Sequence, residues 1–163
     1  SSDLQNANVA ERQAKAAEMC LQHYNCPIKI EINYGETLST GSGITLWAIF
    51  SKDVNEIDAD NPIRLGADAL GERGKKAEIV GQEATKNLVA EIESKAPVDM
   101  HFADQILIFM ALAGGKIKTS KITNHTRTNI YTIEKFLGKV FSIDESNNII
   151  STISSKSEVF RAN

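Results

Sequence analysis

His125 lies in a run of seven polar residues, Thr123-Asn124-His125-Thr126-Arg127-Thr128-Asn129. The run falls between a predicted strand and a helix with one apolar face, and anions commonly bind where a helix begins. A neutral imidazole can act as a nucleophile and form a covalent intermediate. Two interpretations stay open. His125 is either such a nucleophile or an ordinary first-turn residue of a helix that Thr123 or Asn124 caps.

A second polar group opens an otherwise apolar stretch. His101 precedes Asp104 by three residues and Gln105 by four, and these spacings place the side chains on one face of a helix. A carboxylate among apolar residues is unfavourable without a partner. Asp104 is therefore either satisfied by backbone amides at the helix start or paired with His101 in a pocket. The spacing favours neither interpretation.

Two glycine-containing loops are weaker candidates. Thr40-Gly41-Ser42-Gly43 lacks the lysine of a Walker motif and precedes a strand rather than a helix. Gly71-Glu72-Arg73-Gly74-Lys75-Lys76 precedes a helix, so it either holds a phosphate or forms a tight turn with a solvated basic rim. Cys20 and Cys26 lack metal-ligand spacing, and His23 is expected at the surface.

The composition is that of a soluble globular protein with a real core. The chain has 163 residues, of which 42% are apolar and 24% charged, and its formal net charge is −3. This acidity argues against nucleic-acid binding by simple electrostatic attraction, although lysines and arginines are concentrated in the C-terminal third. No apolar run approaches the ~20 residues of a membrane span, so we expect no membrane association and a cytoplasmic location.

The hydrophobic periodicity predicts an α+β fold of two small units joined near Pro97. Each unit is expected to be a two-layer α/β sandwich with helices on one face of a mostly antiparallel sheet. Helices are predicted over 9–21, 77–95, 100–113 and 127–137, and strands over 28–32, 44–50, 63–70, 117–122, 141–144 and 149–153. Asn8 is the expected N-cap of the first helix, and the helix over 100–113 should be buried on several sides. Residues 51–62 are expected to form an exposed excursion.

Several ordered stretches together resemble the C-terminal part of the RNA 3'-terminal phosphate cyclases. They are Val9 to Ala14, Leu70 to Gly81, Asp104 to Gly114, and Thr123 to Ile130. The resemblance runs from about residue 3 to residue 153. It implies the cyclase/enolpyruvate-transferase-like fold, in which repeated βαβαββ-type units form the core and a smaller α+β domain is inserted into the last unit.

That resemblance divides the chain into three parts. Residues 3–96 would be the inserted domain, and residues 97–155 the C-terminal part of the last core repeat, which carries the catalytic histidine. Residues 156–163 would be a polar tail. The N-terminal half of the family has no counterpart here, and the first residue is not Met, so we expect the chain to be a fragment.

The resemblance also implies a reaction that uses ATP and Mg²⁺ or another divalent cation. His125 would attack the α-phosphate of ATP to give a histidine-AMP intermediate, an RNA 3'-phosphate would take the AMP, and the neighbouring 2'-hydroxyl would close a 2',3'-cyclic phosphate. His101, Asp104 and Gln105 would bind the nucleotide, with Asp104 also near the metal. Thr128 and Asn129 would support the loop. The loop from Gly71 to Lys76 would have a structural role, and whether it also contacts RNA stays open.

The expected partners are RNA 3'-phosphate ends, the missing N-terminal half and a second copy in a homodimer. The isolated chain is expected to be inactive or nearly so, because half of the nucleotide pocket is missing. Two alternatives stay open. One is a non-catalytic cyclase-like protein of ribosome assembly, a class that lacks the nucleophilic histidine. The other is an RNA-binding module.

Overall fold

The computed structural model describes residues 1–51 and 63–153, and the chain divides into two compact units, Ser1–Glu93 and Ser94–Asn163. The helices are α1 (Val9–Leu21), α2 (Ala77–Glu93), α3 (Met100–Ala113) and α4 (Asn124–Leu137). The strands are β1 (Gly43–Phe50), β2 (Ile63–Leu70), β3 (Lys116–Lys118), β4 (Phe141–Asp144) and β5 (Ile149–Thr152). This mixture of helices and small antiparallel sheets agrees with the predicted α+β class. The predicted excursion, beyond Ser51, and the tail lie outside the described residues.

In the first unit, a two-stranded antiparallel sheet packs one face against α2. Strands β1 and β2 pair along their whole length, from Gly43 opposite Leu70 to Phe50 opposite Ile63. Alternate residues of each strand point to the same face. The inward residues meet α2 in two apolar clusters, one around Leu65, Ala67 and Leu88, the other around Ala69, Val80 and Ala84.

Helix α1 lies close against α2, and Gly81 makes this approach possible. A Cβ atom on Gly81 would lie 2.2 Å from the backbone oxygen of Gln13 and 3.1 Å from the Cβ of Ala16. Ala16 and Ala17 are themselves buried. Small residues on the facing surfaces therefore set the distance between the two helices.

The predicted strand over 28–32 is wrong. No strand is assigned there, and Ile28, Ile30 and Ile32 are each 38–44% exposed. Side-chain bonds to the start of α1 hold the segment instead. The hydroxyl of Tyr34 accepts from the Ala10 amide at 3.1 Å and donates to Glu11 Oε2 at 2.5 Å. The alternation of isoleucines gave the right pattern for a strand, but the described residues provide no neighbouring strand to pair with it.

In the second unit, a three-stranded sheet has the order β3-β5-β4. β5 is antiparallel to both of its neighbours, so β3 and β4 are parallel to each other. Val98, just before α3, forms a parallel bridge with Thr119, just after β3. Both helices therefore connect parallel segments: α3 leads from Val98 to β3, and α4 leads from β3 to β4.

The core of the second unit lies between this sheet and the two helices. Its buried members are Leu107, Met110, Ile122, Ile130, Val140, Phe141 and Ile150. Burial of α3 on several sides was expected and is not found: only the stripe of Ala103, Leu107 and Met110 is buried. Phe102, Ile108, Phe109 and Leu112 are 43–67% exposed. The apolar composition of α3 exceeds what the described residues cover.

Several element boundaries differ from the predicted ones for local reasons. α4 begins at Asn124, three residues earlier than predicted, because Thr123 caps it. α2 ends at Glu93, and Lys95 adopts a positive φ of 51°. β3 ends at Lys118, and the amides of Thr119 and Ser120 bond to the carbonyls of Asn148 and Val98. Asn8 stands at the N-cap of α1, but its side chain makes no capping bond.

None of the described helices combines the length and the apolar character that a helix needs to cross a membrane.

Candidate functional site

The topology of the second unit brings the N-termini of α3 and α4 to one edge of the sheet. Each helix follows the carboxyl end of a segment, Val98 or β3, and these two segments run parallel. In sheets with parallel strands, helices that follow the strands begin at the same edge, where ligands are commonly bound. His101 lies in the first turn of α3 and His125 in the first turn of α4, so both belong to this edge.

Asp99 starts α3. Its carboxylate Oδ1 accepts from the amides of His101 at 2.9 Å and Phe102 at 2.7 Å. The carboxylate satisfied by backbone amides is therefore Asp99 and not Asp104. Sequence reasoning missed Asp99, although an Asp directly before an apolar helical run is a recognised N-cap signal.

Thr123 starts α4 in the same way. Its hydroxyl oxygen accepts from the Thr126 amide at 3.1 Å and lies 3.0 Å from the Thr126 hydroxyl, which is fully buried. This confirms that Thr123 caps the helix. His125 is an exposed residue of the first turn, a position that agrees with either interpretation of its role. Such a position leaves the imidazole open to solvent, where a substrate can reach it.

Asn129 ties the two helices together. Its amide Nδ2 donates to the backbone oxygen of Asp104 at 3.3 Å. His125 lies four residues before Asn129, and therefore on the same face of α4. His101 lies one turn before Asp104 on α3. The hydroxyl of Thr119 also donates to the backbone oxygen of Asp99 at 3.2 Å and anchors the start of α3 to the end of β3.

Asp104 is partly exposed, while His101 and Gln105 are exposed. Within the described part of the chain, the Asp104 carboxylate makes no ion pair, and no hydrogen bond joins it to His101. The described residues of the whole chain contain no group of three His, Cys, Asp or Glu side chains able to hold a metal ion. A single carboxylate does suit Mg²⁺ that keeps several waters and binds substrate phosphates.

Two other residues of the polar run are held by local bonds. Arg127 forms a bidentate ion pair with Glu145, in which Nη2 lies 2.7 Å from Oε2. Hydrogen bonding to Arg127 holds the pKa of Glu145 below its usual range. Thr128 donates its hydroxyl to the Asn124 backbone oxygen at 2.8 Å. Arg127 is therefore directed to Glu145, while Thr128 braces the first turn that carries His125.

The comparisons with known proteins point to one family over most of the chain. The family model of the RNA 3'-terminal phosphate cyclase insert domain matches residues 2–93. The RNA 3'-terminal phosphate cyclase of Pyrococcus abyssi is 46% identical over 138 residues, which cover 85% of this chain and 37% of that protein. That of Thermococcus gammatolerans is 44% identical over 139 residues, covering 85% and 38%. That of Pyrobaculum aerophilum is 46% identical over 142 residues, again covering 85% and 38%.

The chain thus spans less than two-fifths of the length of these curated relatives. The match to the family model covers the first compact unit. The alignments with the relatives extend well beyond that unit. With more than half of the chain matched by the family model, the chain belongs to the RNA 3'-terminal phosphate cyclase family.

Proposed function

We propose that this chain is part of an ATP-dependent RNA 3'-phosphate cyclase in which His125 is the nucleophile. The observation that carries the proposal is the position of His125. It is exposed in the first turn of α4, at the sheet edge where α3 also begins, and on the helix face that Asn129 ties to Asp104. The positive end of a helix dipole at that edge favours a phosphate.

The reaction then proceeds in three displacements. An imidazole nitrogen of His125 attacks the α-phosphorus of ATP, a P–N bond forms, and the bond to pyrophosphate breaks. An oxygen of the RNA 3'-phosphate next attacks the same phosphorus and releases the histidine. The adjacent 2'-hydroxyl finally attacks the 3'-phosphorus, AMP leaves, and the cyclic phosphate remains. Covalent catalysis of this kind replaces a poor leaving group by a good one.

The neighbouring residues support this chemistry from α3 and α4. We assign His101 and Gln105 to nucleotide binding, and Asp104 both to nucleotide binding and to a divalent cation. Such a cation offsets negative charge on the transferring phosphoryl group. Thr128 and Asn129 are positioning residues, since each bonds to a backbone oxygen next to the reacting groups.

The exposed apolar face of α3 supports a role within a larger assembly. Phe102, Phe109 and Leu112 are 49–67% exposed on a helix of apolar composition. We propose that this face packs against the part of the protein that the relatives possess and this chain does not include. The nucleotide pocket is completed there, and the 163-residue chain alone is inactive or nearly so. We place the protein in the cytoplasm, where ATP and RNA are both found.

A hybrid protein tests the proposed activity. This chain replaces the matching segment of the Pyrococcus abyssi relative, and the hybrid is incubated with ATP, Mg²⁺ and an oligoribonucleotide that ends in a 3'-phosphate. We expect cyclised ends, loss of activity in the His125→Ala hybrid, and retained activity in the His23→Ala hybrid as a matched histidine control. An inactive hybrid beside an active parent relative would favour a non-catalytic cyclase-like protein.

A further inference from the structure

The first unit contains a cavity that the proposed reaction does not use. Its volume is about 620 Å³, within the range of small-molecule pockets. Its walls are the start of α1, the turn around Ser42, and the loop from Gly71 to Lys76 that joins β2 to α2. All of these elements lie within Ser1–Glu93, so the cavity belongs to that unit alone.

The loop that forms the rim is held in place by backbone geometry. The amide of Gly71 donates to the Ser42 carbonyl at 2.8 Å, and a Cβ atom on Gly71 would lie only 2.1 Å from Ser42 Oγ. Gly74 has a φ of 84°, a left-handed conformation that favours glycine. The glycines thus fix the loop around the opening and leave its basic side chains to form the rim.

Cations exceed carboxylates around this cavity, although the whole chain carries a net charge of −3. Two of the four lining cations are already neutralised. Arg12 forms a bidentate pair with Glu78, with atoms 2.7 and 2.9 Å apart, and Lys75 pairs with Glu83. Arg73 and Lys76 form no ion pair within 4 Å among the described residues. Glu72 is the carboxylate of the lining, and the Glu78 carboxylate, paired with Arg12, also interacts with Lys76 at longer range.

Apart from Arg12, the inner wall is uncharged, and it mixes polar side chains, Gln13 and Ser42, with apolar ones such as Val9 and Val80. Gln13 is 1% exposed, and its side-chain amide donates to Ser42 Oγ at 3.0 Å. α2 begins directly after Lys76, so the helix dipole adds a further positive potential at the rim. Exposed cations around an uncharged and partly polar interior suit a group that is anionic at one end and uncharged at the other. A phosphate carried on a ribonucleotide has this chemistry.

We propose that this cavity binds a phosphate group of the RNA chain, with Arg73 and Lys76 contacting the phosphate. The inference rests on the proposed function, which supplies RNA as the substrate. It adds an RNA contact in the insert domain, remote in sequence from His125. Free nucleotide carries the same phosphate chemistry, so the test separates the two sources.

The test measures binding of the 163-residue chain to a fluorescently labelled short oligouridylate by fluorescence anisotropy, over a series of salt concentrations. The oligonucleotide ends in a 3'-hydroxyl and cannot be cyclised, so binding is measured apart from the reaction. We expect Arg73→Gln and Lys76→Gln each to weaken binding about threefold to tenfold. Each should also lower the slope of log affinity against log salt by about 0.7.

Lys86→Gln is the matched control, because Lys86 is an exposed lysine of α2 outside the cavity. We expect its affinity within about twofold of the parent chain. Equal thermal unfolding midpoints for Lys76→Gln and Lys86→Gln would establish that both variants are folded. Equal RNA affinities for these two variants would overturn the proposal.

Two further outcomes separate this inference from related claims. If Arg73→Gln and Lys76→Gln abolish thermal stabilisation by ATP or inorganic phosphate but leave RNA affinity unchanged, the site takes free phosphates and the RNA assignment is wrong. If both variants lose RNA affinity while the hybrid with intact His125 shows no cyclase activity, the cavity assignment stands and the proposed reaction fails. The chain is then an RNA-binding module.

Discussion

Two capping residues place the candidate histidines. Asp99 and Thr123 each accept hydrogen bonds from first-turn amides, which fixes where α3 and α4 begin. His101 and His125 follow each cap by two residues and are therefore first-turn residues. A capped start also satisfies amides that would otherwise be unpaired. The chemistry proposed for His125 depends on this local geometry.

Replacing Thr123 by Ala is expected to lower the free energy of unfolding by about 1–2 kcal/mol, because the cap is lost. The buried hydroxyl of Thr126 loses its neighbour at the same time. Thr132→Ala is the control in the same helix, since Thr132 is exposed and, within the described ranges, its hydroxyl bonds to the Thr128 carbonyl alone. We expect it to change stability by less than about 0.5 kcal/mol in urea unfolding. Equal effects of the two variants would contradict the capping role.

The pair of Arg127 and Glu145 gives a pH-dependent prediction. Arg127 lowers the pKa of Glu145 in the folded chain, so the pair stabilises the fold above the usual range of a glutamate and loses this effect as pH falls through the lowered pKa. Glu145→Gln should therefore be less stable than the parent chain at neutral pH and equal to it once the pH has fallen below the lowered pKa of Glu145. The difference will be small, since the pair is exposed.

Urea unfolding from neutral to acidic pH measures this difference. Glu36→Gln serves as control, because Glu36 is exposed and has no ion-pair partner among the described residues. A difference between Glu145→Gln and the parent chain that stays constant over the whole pH range would rule out the ion pair as its source.

At the level of single residues, the sequence was informative about which types gather near His125 but not about their partners. The run from Thr123 to Asn129 indicated a helix start, and Thr123 was one of its two candidate caps. The bond from Asn129 to the Asp104 backbone was not predictable, because it joins residues of two helices that are 25 positions apart in sequence. The ion pair of Arg127 with Glu145 was missed for the same reason.

Among the elements, α1 and α2 depend on a single glycine. Gly81 lies in the middle of α2, where alanine would favour the helix by up to about 1 kcal/mol. The added Cβ would nevertheless collide with the Gln13 backbone of α1. Overpacking of this kind costs about 1–3 kcal/mol, so the collision outweighs the gain in helix propensity.

Gly81→Ala is therefore expected to destabilise the chain by about 1–2 kcal/mol in chemical denaturation. Gly35→Ala is the control, since nothing lies within 4 Å of a Cβ there, and its effect should stay below about 0.5 kcal/mol. A more stable Gly81→Ala chain would show that α1 and α2 pack less closely than described.

Most helices and strands followed from periodicity, and the failures have physical reasons. The bounds of α1, α3 and β2 match the predicted ones. The strand over 28–32 failed because alternation records which face is apolar and not whether a pairing strand is available. The start of α4 was placed three residues late because its first turn is polar, and only the capping bond of Thr123 marks the true boundary.

For the whole molecule, the exposed apolar face of α3 is the feature that sequence reasoning misjudged. It was expected to be buried, yet Phe109 is 67% exposed while Leu107, two residues away, is fully buried. The chain also spans only 37–38% of its relatives. Both observations motivate the proposal that further protein surface packs on α3.

We predict that Phe109→Ser changes the stability of the 163-residue chain by less than about 0.5 kcal/mol. Leu107→Ala should cost about 2–5 kcal/mol. In the hybrid with the Pyrococcus abyssi relative, Phe109→Ser should cost about 1.5–3 kcal/mol, the value of a buried phenylalanine. Equal effects of Phe109→Ser in chain and hybrid would show that the relative does not cover this face. A chain that sediments as a dimer only with Phe109 intact would assign the face to self-association.

Transfer of AMP to the protein is the most direct test of His125 as the nucleophile. The hybrid is mixed with Mg²⁺ and with ATP labelled in the α-phosphate, without RNA, and the labelled peptide is identified by mass spectrometry after tryptic digestion. We predict acid-labile label on His125, no label in His125→Ala, and undiminished label in His23→Ala. Label that persists in His125→Ala, or that is found on another residue, would contradict the assignment of His125 as the nucleophile.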